Sequence, residues 1–323
     1  MSFMEKLKSA SQHNRSLVCV GLDPDLKKLP ECLKGAEHPI FEFNKAIVDA
    51  TRDWVSCYKP QAAYYAGQGA DDELKMTIDY IHEHAPMVPV ILDVKRGDIG
   101  STAEMYAREA FERYQADAVT VNPYMGFDTL KPFLDHADKG VIILCRTSNP
   151  NSGDLQNLMC DGRMVYEHVA LLARDKWNYN NNVALVIGAT YPEELKHVRG
   201  LCPEMPFLVP GVGAQGGDVE KVVRFGCDAN GGGLAINSSR GIIYADRSEN
   251  FGAAAGAAAR QLSGLVTLNE LGVFIWQQLA DDCTLDTIAA RITDEYDVDD
   301  ATARADAENF LQSLHEIGAL EHF

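Results

Sequence analysis

The chain has 323 residues, 46% of them hydrophobic and 24% charged, a composition typical of a globular protein with one large domain or one large and one small. No apolar run approaches the roughly 18 residues that a membrane helix needs, which argues against a membrane protein. The net charge of −18 argues against a nucleic-acid backbone as partner.

The first residues, MSFMEKLKSASQHNRS, are polar and contain no apolar signal core. The eight cysteines are scattered singly, without a C-x-x-C pair. This pattern favours free thiols over a disulfide framework or a thiolate metal site. Both features predict a cytoplasmic location, where thiols stay reduced.

Short apolar runs alternate with amphipathic stretches from residue 17 to about residue 260. The runs predict eight strands, at 17–22, 54–59, 88–94, 117–121, 140–145, 182–187, 206–209 and 233–237. A helix is predicted after each strand, at about 38–53, 71–84, 101–115, 127–137, 160–176, 191–200, 215–225 and 248–262. Helix-start chemistry is visible at Asp71, Ser101 and Asp128, and Pro192 fits a first turn. Eight strand–helix units in about 250 residues predict a (β/α)8 TIM barrel, with a doubly wound open sheet as the alternative.

Polar residues follow several predicted strands, at the face of a barrel where active sites are built. They are Asp23, Lys59, Asp93, Lys95, Asn122 and the segment from Arg146 to Ser148. Asp93 and Lys95 are two residues apart, so they project to the same side of a strand. Such a pair can be a plain ion pair or one half of a catalytic array.

Two loops near the end of the predicted barrel have the chemistry of an anion site. PGVGAQGGD (210–218) follows the seventh strand, and its glycines let backbone amides approach a ligand closely. NSSRGIIY (237–244) follows the eighth strand and contains Arg240, a bidentate phosphate donor. Loops after strands seven and eight are the usual phosphate site of such barrels. Either loop alone also fits a plain tight turn, but the two together predict a phosphate site.

Over about residues 3–262 these segments resemble one family. DVKRGDIGST (93–102) matches the D-x-K-x-x-D-I signature of orotidine 5'-phosphate decarboxylase, and five other segments match the same family. They are VGLDPD, YKPQAAYY, CRTSNP, VPGVGAQGGD and GGGLAINSSRGIIYA. The CRTSNP and GGGLAINSSRGIIY segments look like those of the bacterial subgroup with longer sequences.

The resemblance implies a role for each matching residue. The catalytic network would be Lys59, Asp93, Lys95 and Asp98, with Asp98 and Thr102 reaching into the site of the partner subunit of a homodimer. Asp23 and Lys59 would hold the ribose hydroxyls, and Ser148 the pyrimidine edge. The 5'-phosphate would be held by Gly211, Gly213, Gln215 and Arg240.

The implied reaction converts orotidine 5'-phosphate to UMP and CO2 in pyrimidine biosynthesis, with Lys95 protonating C6 and no metal or organic cofactor required. The rival within the superfamily is a magnesium-dependent sugar-phosphate aldolase or decarboxylase, such as hexulose-phosphate synthase. Those enzymes share D-x-K-x-x-D but have an acidic residue at the position of Lys59, so Lys59 and the TSNP segment favour the nucleotide enzyme.

The last part of the chain differs sharply in charge. Residues 262–323 contain 13 acidic residues and 2 arginines, a net charge of −11, which predicts a barrel at 1–262 and a separate domain at 263–323. Apolar residues at helical spacing predict three helices, at about 269–280, 284–295 and 299–317, with Thr284 and Asp299 as caps.

The acidic segment resembles the pyrroloquinoline quinone synthesis protein D family over about residues 265–321. Members are small winged-helix peptide chaperones, and a peptide adds to their β-hairpin as an extra strand. Only SGLVT stands between the predicted barrel and the LN of this segment, which departs from the family's longer hairpin. Three interpretations stay open: a site for a peptide or protein partner, a docking or stabilising appendage, and a regulator of the barrel. In a further alternative, the whole chain is a peptide-binding adaptor with an inactive barrel.

Overall fold

The computed structural model describes residues 1–212, 218–266, 275, 278–279, 284–296 and 298–316. Eight parallel strands form its centre: β1 Val18–Leu22, β2 Cys57–Pro60, β3 Ile91–Arg96, β4 Ala118–Val121, β5 Gly140–Arg146, β6 Val183–Ile187, β7 Phe207–Pro210 and β8 Leu234–Ser238. Hydrogen-bonded neighbours follow the order β2-β1-β8-β7-β6-β5-β4-β3. Two isolated parallel bridges, Tyr58 with Val90 and Gln61 with Asp93, join β2 to β3. We call this junction the β2–β3 seam. The predicted TIM barrel is confirmed.

Helices surround the strands, and further helices follow the last strand along the chain. They are α1 Phe3–His13, α2 Pro39–Thr51, α3 Ala62–Ala66, α4 Asp71–His84, α5 Gly100–Arg108, α6 Phe127–Leu134, α7 Gly153–Gln156, α8 Val165–Leu172, α9 Pro192–Leu201, α10 Val219–Gly226, α11 Arg240–Ile243, α12 Phe251–Val266, α13 Leu285–Glu295 and α14 Asp300–Glu316. Short 3-10 turns lie at Glu31–Leu33, Arg52–Trp54 and Pro150–Ser152, and π-turns extend α5 and α8 at Glu109–Arg113 and Ala173–Trp177. None of these described helices is long and apolar enough to span a membrane.

Helix α1 closes the end of the barrel where the strands begin. Its Phe3 and Leu7 join the apolar side chains that fill the barrel interior. Phe3 lies so close to Gly140 that a Cβ on that glycine would be 2.2 Å from the ring. Site residues must therefore gather at the opposite end, where the strands finish.

Asp117, just before β4, links several elements at this closed end. Its carboxylate accepts hydrogen bonds from Lys6 Nζ of α1 at 3.0 Å, His82 Nε2 of α4 at 3.1 Å and the Val90 amide at 2.8 Å. Burial acts to raise the pKa of Asp117, but the hydrogen bond from His82 and the charge of Lys6 outweigh it and lower the pKa.

Two glycines of α12 face α2, and one of them, Gly256, is required for the close packing of the two helices. A Cβ at Gly256 would lie 2.8 Å from the carbonyl oxygen of Ala50, closer than real Cβ contacts allow. A Cβ at Gly252 would lie 3.4 Å from the carbonyl oxygen of Ala46. Helix α12 also runs to Val266, so the predicted boundary at residue 262 falls inside it.

The described part of the acidic segment contains two of its three predicted helices. Thr284 caps α13 by accepting a hydrogen bond from the Thr287 amide, and Asp299 caps α14 by accepting one from the Thr302 amide at 2.9 Å. The helices bury a small core of Ile275, Ile288, Ile292, Ala303, Ala307 and Leu311. Phe310 packs against both this core and the main core of the barrel. Most of the first predicted helix, 269–280, lies outside the described residues.

The predicted helix starts at residues 71, 101 and 127 agree with the structure to within one residue. Asp71, Ser101 and Asp128 lie inside the first turn of their helices, and the capping positions are Ala70, Ile99 and Gly126 instead. Pro192 does open α9.

The helix predicted at 160–176 begins only at Val165. Asp161 and Gly162 have positive φ angles and form the turn of a two-residue hairpin, Met159–Cys160 with Arg163–Met164. Asp161-Gly162 is a pair typical of hairpin turns, and the helical periodicity of residues 160–176 led to a prediction that overlooked it.

Candidate active site

Three charged residues from neighbouring strands form an alternating array at the open end of the barrel. Lys59 ends β2, and Asp93 and Lys95 lie on β3. Asp93 Oδ2 is 2.9 Å from Lys59 Nζ, and Asp93 Oδ1 is 2.6 Å from Lys95 Nζ. The side chain of Lys59 is 5% exposed and that of Lys95 is 46% exposed. Of the two cations, Lys95 is therefore the one that faces the mouth of the barrel.

Two neutral donors complete the coordination of Asp93. Gln61 Nε2 donates to Asp93 Oδ2 at 3.0 Å, and Thr120 Oγ1 donates to Asp93 Oδ1 at 2.8 Å. Each carboxylate oxygen thus accepts two hydrogen bonds, which is the full capacity of an ionised carboxylate. Sequence reasoning missed both residues. Gln61 is two residues from Lys59 and could have been found by strand alternation, whereas Thr120 looks like an ordinary strand threonine.

The array stabilises its own charged state. Burial acts to raise the pKa of Asp93, but the charges of Lys59 and Lys95 outweigh it and hold the pKa well below its usual range. Burial acts to lower the pKa of Lys59, but the charges of Asp93 and Asp23 raise it above its ordinary value. Asp93 is consequently a fixed anion and Lys59 a fixed cation.

Asp23 lies beside this array with spare acceptor capacity. Its Oδ1 is 4.0 Å from Lys59 Nζ, is buried, and has no hydrogen-bond partner among the described residues. A buried carboxylate oxygen without a donor is costly unless a ligand supplies one. The position suits the ribose-hydroxyl role that the family resemblance implies for Asp23.

Asp98 and Thr102 are not brought into the array of their own chain. The Asp98 carboxylate accepts a hydrogen bond from the Ile99 amide at 2.8 Å and, within the described residues, forms no ion pair with Lys95. Thr102 is exposed on the first turn of α5. The chain thus brings Lys59, Asp93 and Lys95 together but leaves Asp98 and Thr102 outside this array.

The predicted ligand-binding residues surround the same end of the barrel. Ser148 follows β5 and lies against Gly188, where a Cβ would be 2.8 Å from the Ser148 amide nitrogen. Gly211 follows β7 with φ +98°, a conformation that favours glycine. Arg240 is exposed at the start of α11, after β8. Gly213 and Gln215 lie outside the described residues.

Arg146 supports the loop that carries Ser148. It is 1% exposed, and its guanidinium donates to Ser152 Oγ and to Gln156 Oε1, the latter at 3.2 Å. Its guanidinium carbon lies 3.8 Å from the centroid of the Tyr191 ring. Arg146 is therefore buried beneath the loop. Both residues were predicted to line the mouth of the barrel, and of the two only Ser148 is partly exposed there.

No group of three or more His, Cys, Asp or Glu residues is placed to hold a metal ion within the described part of the chain. The cysteines described there are all unpaired.

Two family models match the chain. The model of the orotidine 5'-phosphate decarboxylase / HUMPS family matches residues 16–255, and that of coenzyme PQQ synthesis protein D matches residues 244–320. The orotidine 5'-phosphate decarboxylase of Ralstonia pickettii is 60% identical over 255 residues, covering 79% of this chain and 94% of that relative. The Azoarcus enzyme of the same name is 59% identical and covers 81% and 97%.

Solved structures agree with the sequence comparisons. The Leishmania donovani OMP decarboxylase is 39% identical with a TM-score of 0.71, covering 82% of this chain and 99% of that chain. An orotidine-monophosphate-decarboxylase structure from Toxoplasma gondii is 35% identical with a TM-score of 0.73, covering 81% and 96%.

Proposed function

Since the chain belongs to the orotidine 5'-phosphate decarboxylase family, we propose that Lys59, Asp93 and Lys95 are the residues with which it performs that family's reaction. The reaction converts orotidine 5'-phosphate to UMP and CO2 in pyrimidine biosynthesis. The observation that carries the assignment is the alternating array, with Lys95 as its exposed cation and Asp93 as its saturated anion.

Lys95 is the proposed proton donor. When the bond between C6 and the carboxyl carbon breaks, its electron pair stays on C6 and CO2 leaves. A proton from Lys95 Nζ then forms the new C6–H bond, and solvent returns a proton to the amine. A cation fixed beside C6 stabilises the developing charge and supplies the proton from the same atom. Lys59 is too deeply buried for this role.

Asp93 is proposed to orient Lys95 and to disfavour the bound carboxylate. Its four hydrogen bonds and lowered pKa keep it ionised, so it presents a fixed negative charge near the leaving group. The same charge attracts Lys95 Nζ, which lies 2.6 Å from Asp93 Oδ1.

The rest of the nucleotide is assigned to the surrounding loops. Arg240 and the amide of Gly211 are proposed to bind the 5'-phosphate together with Gly213 and Gln215. Asp23 and Lys59 are proposed for the ribose, and Ser148 for the pyrimidine edge. Binding energy at the remote phosphate can hold the ring against Lys95 in a reactive geometry.

We propose that the active enzyme is a homodimer in which Asp98 and Thr102 complete the site of the partner. Exposed apolar side chains lie near these residues: Ile99, Met105, Tyr124, Met125 and Phe127. The loops that carry them touch, because a Cβ on Gly97 would lie 3.6 Å from Met125 Cε. An apolar surface of this kind is expected to be covered by a protein partner, and a second copy would bring its Asp98 and Thr102 with it. The free thiols support our proposal of a cytoplasmic location.

The acidic segment is proposed to be a stabilising appendage rather than a catalytic part. The coenzyme PQQ synthesis protein D model begins at residue 244, yet residues 251–266 form α12 and pack on the barrel. Those residues are therefore not available as the hairpin to which a peptide would add. Phe310 supports docking, because it contacts both cores.

The test is the loss of orotate absorbance when the purified chain meets orotidine 5'-phosphate in the presence of a chelator. Lys95→Ala is expected to lower turnover by at least about a thousandfold while UMP still binds, because the proton donor is lost and the phosphate contacts remain. A shortened chain ending at Val266, which keeps α12 whole, should retain turnover.

Unchanged turnover in Lys95→Ala would remove the assigned role. Activity that chelator abolishes would favour a magnesium-dependent sugar-phosphate reaction. A folded but inactive full chain would favour the peptide-binding adaptor.

A further inference from the structure

The backbone of Lys95 is held in an unusual conformation. Its φ angle is +48°, in the left-handed region that residues other than glycine rarely adopt. The pairing of β3 with β4 also shifts register between Leu92 and Arg96. Extra residues in one strand of a pair bend the strand and redirect side chains, often beside active sites. Such a conformation costs of the order of 1–3 kcal/mol and persists only where the surroundings fix it.

The hydroxyl of Thr120 fixes this irregular segment. Thr120 lies on β4 and is 1% exposed. Its Oγ1 accepts hydrogen bonds from the amide of Val94 at 3.0 Å and from the amide of Lys95 at 2.9 Å. The same hydroxyl donates to Asp93 Oδ1 at 2.8 Å. One donor and two acceptor sites are all that a hydroxyl has, so every one of them is used on residues 93–95.

We propose that Thr120 is a positioning residue whose hydroxyl holds the bulge of β3, so that Lys95 Nζ is presented to the reacting carbon. The inference rests on the proposed role of Lys95. Asp93 and Lys95 are one side-chain repeat apart on β3, and a regular ladder would pair the intervening Val94 amide with β4 backbone. Thr120 supplies an acceptor in place of that ladder bond.

Without the hydroxyl, two amides and one carboxylate oxygen lose a partner. The segment then relaxes, and Lys95 Nζ leaves the position that Asp93 alone cannot define. The phosphate and the pyrimidine are assigned to loops after β5, β7 and β8, whereas the side-chain hydrogen bonds of Thr120 among the described residues go to residues 93–95. Lys59, assigned to the ribose, is held by Asp93 Oδ2 rather than by the Oδ1 that Thr120 contacts. The effect should therefore fall on turnover and spare affinity.

The experiment compares Thr120→Val with Thr120→Ser in the full-length chain. Valine keeps the shape and removes the hydroxyl, whereas serine keeps the hydroxyl. We expect Thr120→Val to lower kcat by about 10- to 100-fold, with the Kd of UMP within about threefold of its original value. Thr120→Ser should recover most of that turnover. Thr129→Val is the matched control, since Thr129 of α6 is equally buried and its hydroxyl donates to the carbonyl oxygen of Gly126, at 2.7 Å, away from β3.

A kcat within twofold of the original in folded Thr120→Val would overturn the inference, as would an equal loss in Thr120→Ser. If valine prevents folding, serine and alanine at this position replace it as the pair that differs by the hydroxyl. Lys95→Ala distinguishes a failure of the proposed function from a failure of the role proposed for Thr120. Turnover surviving in Lys95→Ala contradicts the proposed function, whereas turnover lost in Lys95→Ala but kept in Thr120→Val contradicts the role of Thr120 alone.

Discussion

At the scale of single residues, the array depends on charges at strand ends and on two neutral donors, Gln61 and Thr120. Asp93 and Lys95 stand two apart at the end of an apolar run, and Lys59 follows another run, so strand geometry alone brings them to one end of a barrel. Thr120 could not be found this way, because β-branched residues are common in strands for packing reasons. Its role depends on a register shift that only the three-dimensional pairing reveals.

Asp117 gives a pH-dependent prediction at this scale. Its pKa is lowered in the folded chain, so its stabilising contribution is present above the ordinary carboxyl pKa of about 4 and is lost as pH falls through the folded value. Asp117→Asn is therefore expected to reduce the free energy of unfolding by about 1–3 kcal/mol at pH 7 and by progressively less below pH ~4. Urea unfolding at a series of pH values measures this difference. Asp138→Asn, an exposed carboxylate at the same end, should change stability by less than about 0.5 kcal/mol.

A constant deficit for Asp117→Asn across that pH range would show that its ionised form contributes nothing beyond shape. Lys6, His82 and the Val90 amide would then be held by other contacts.

At the scale of elements, the eight strands were predicted within about three residues, and the barrel helices within about five when the π-helical extensions of α5 and α8 are counted. The larger differences lie at helix boundaries. Periodicity identifies which residues face the core, but it does not say where a loop of suitable conformation will take over. In place of one helix at 101–115, the structure has α5 followed by a π-helical turn. The helix predicted at 160–176 begins later, because a hairpin occupies the residues of its first turn. In both places the backbone conformation, rather than the hydrophobic spacing, determines where the regular α-helix begins or ends.

The contact of α12 with α2 allows a prediction with an internal control. Gly256→Ala places a Cβ 2.8 Å from backbone, so one helix must move, and we expect stability to fall by about 1–3 kcal/mol. Gly252→Ala meets its neighbour at 3.4 Å, so the higher helix propensity of alanine should leave stability unchanged or raise it by up to about 1 kcal/mol. Thermal unfolding of both variants tests the difference. Equal midpoints would mean that the helices are not closely packed at Gly256.

At the scale of the whole molecule, the shared site is the main prediction. Asp98→Ala and Lys59→Ala subunits should each be inactive as homodimers. Mixing them should restore about a quarter of the original specific activity, because a random mixture is half heterodimer and each heterodimer contains one site with both residues intact. Activity after mixing and refolding, plotted against the mixing ratio, measures this. A mixture as inactive as its components would argue against sites shared between subunits.

The sequence predicted the acidic segment as a unit, from its charge and helical spacing, and left docking on the barrel as one of three interpretations. The charge boundary at residue 262 falls inside α12, which runs from Phe251 to Val266 and contacts both α2 and α14. Charge composition indicates which residues face solvent. It does not show that Phe310 packs against both the main core of the barrel and the small core of the acidic segment.

The β2–β3 seam has a consequence for how this enzyme can change over generations. Backbone pairing there consists of two isolated bridges, and Lys59 of β2 and Gln61, which follows β2, reach across to Asp93 on β3. The side chains that perform the reaction therefore also stabilise the closure of the barrel. Many enzymes gain stability when a catalytic charge is lost, which lets an inactive descendant persist. Here a chain that loses Asp93 loses its chemistry and part of its closure together, so selection for a folded barrel also preserves the array.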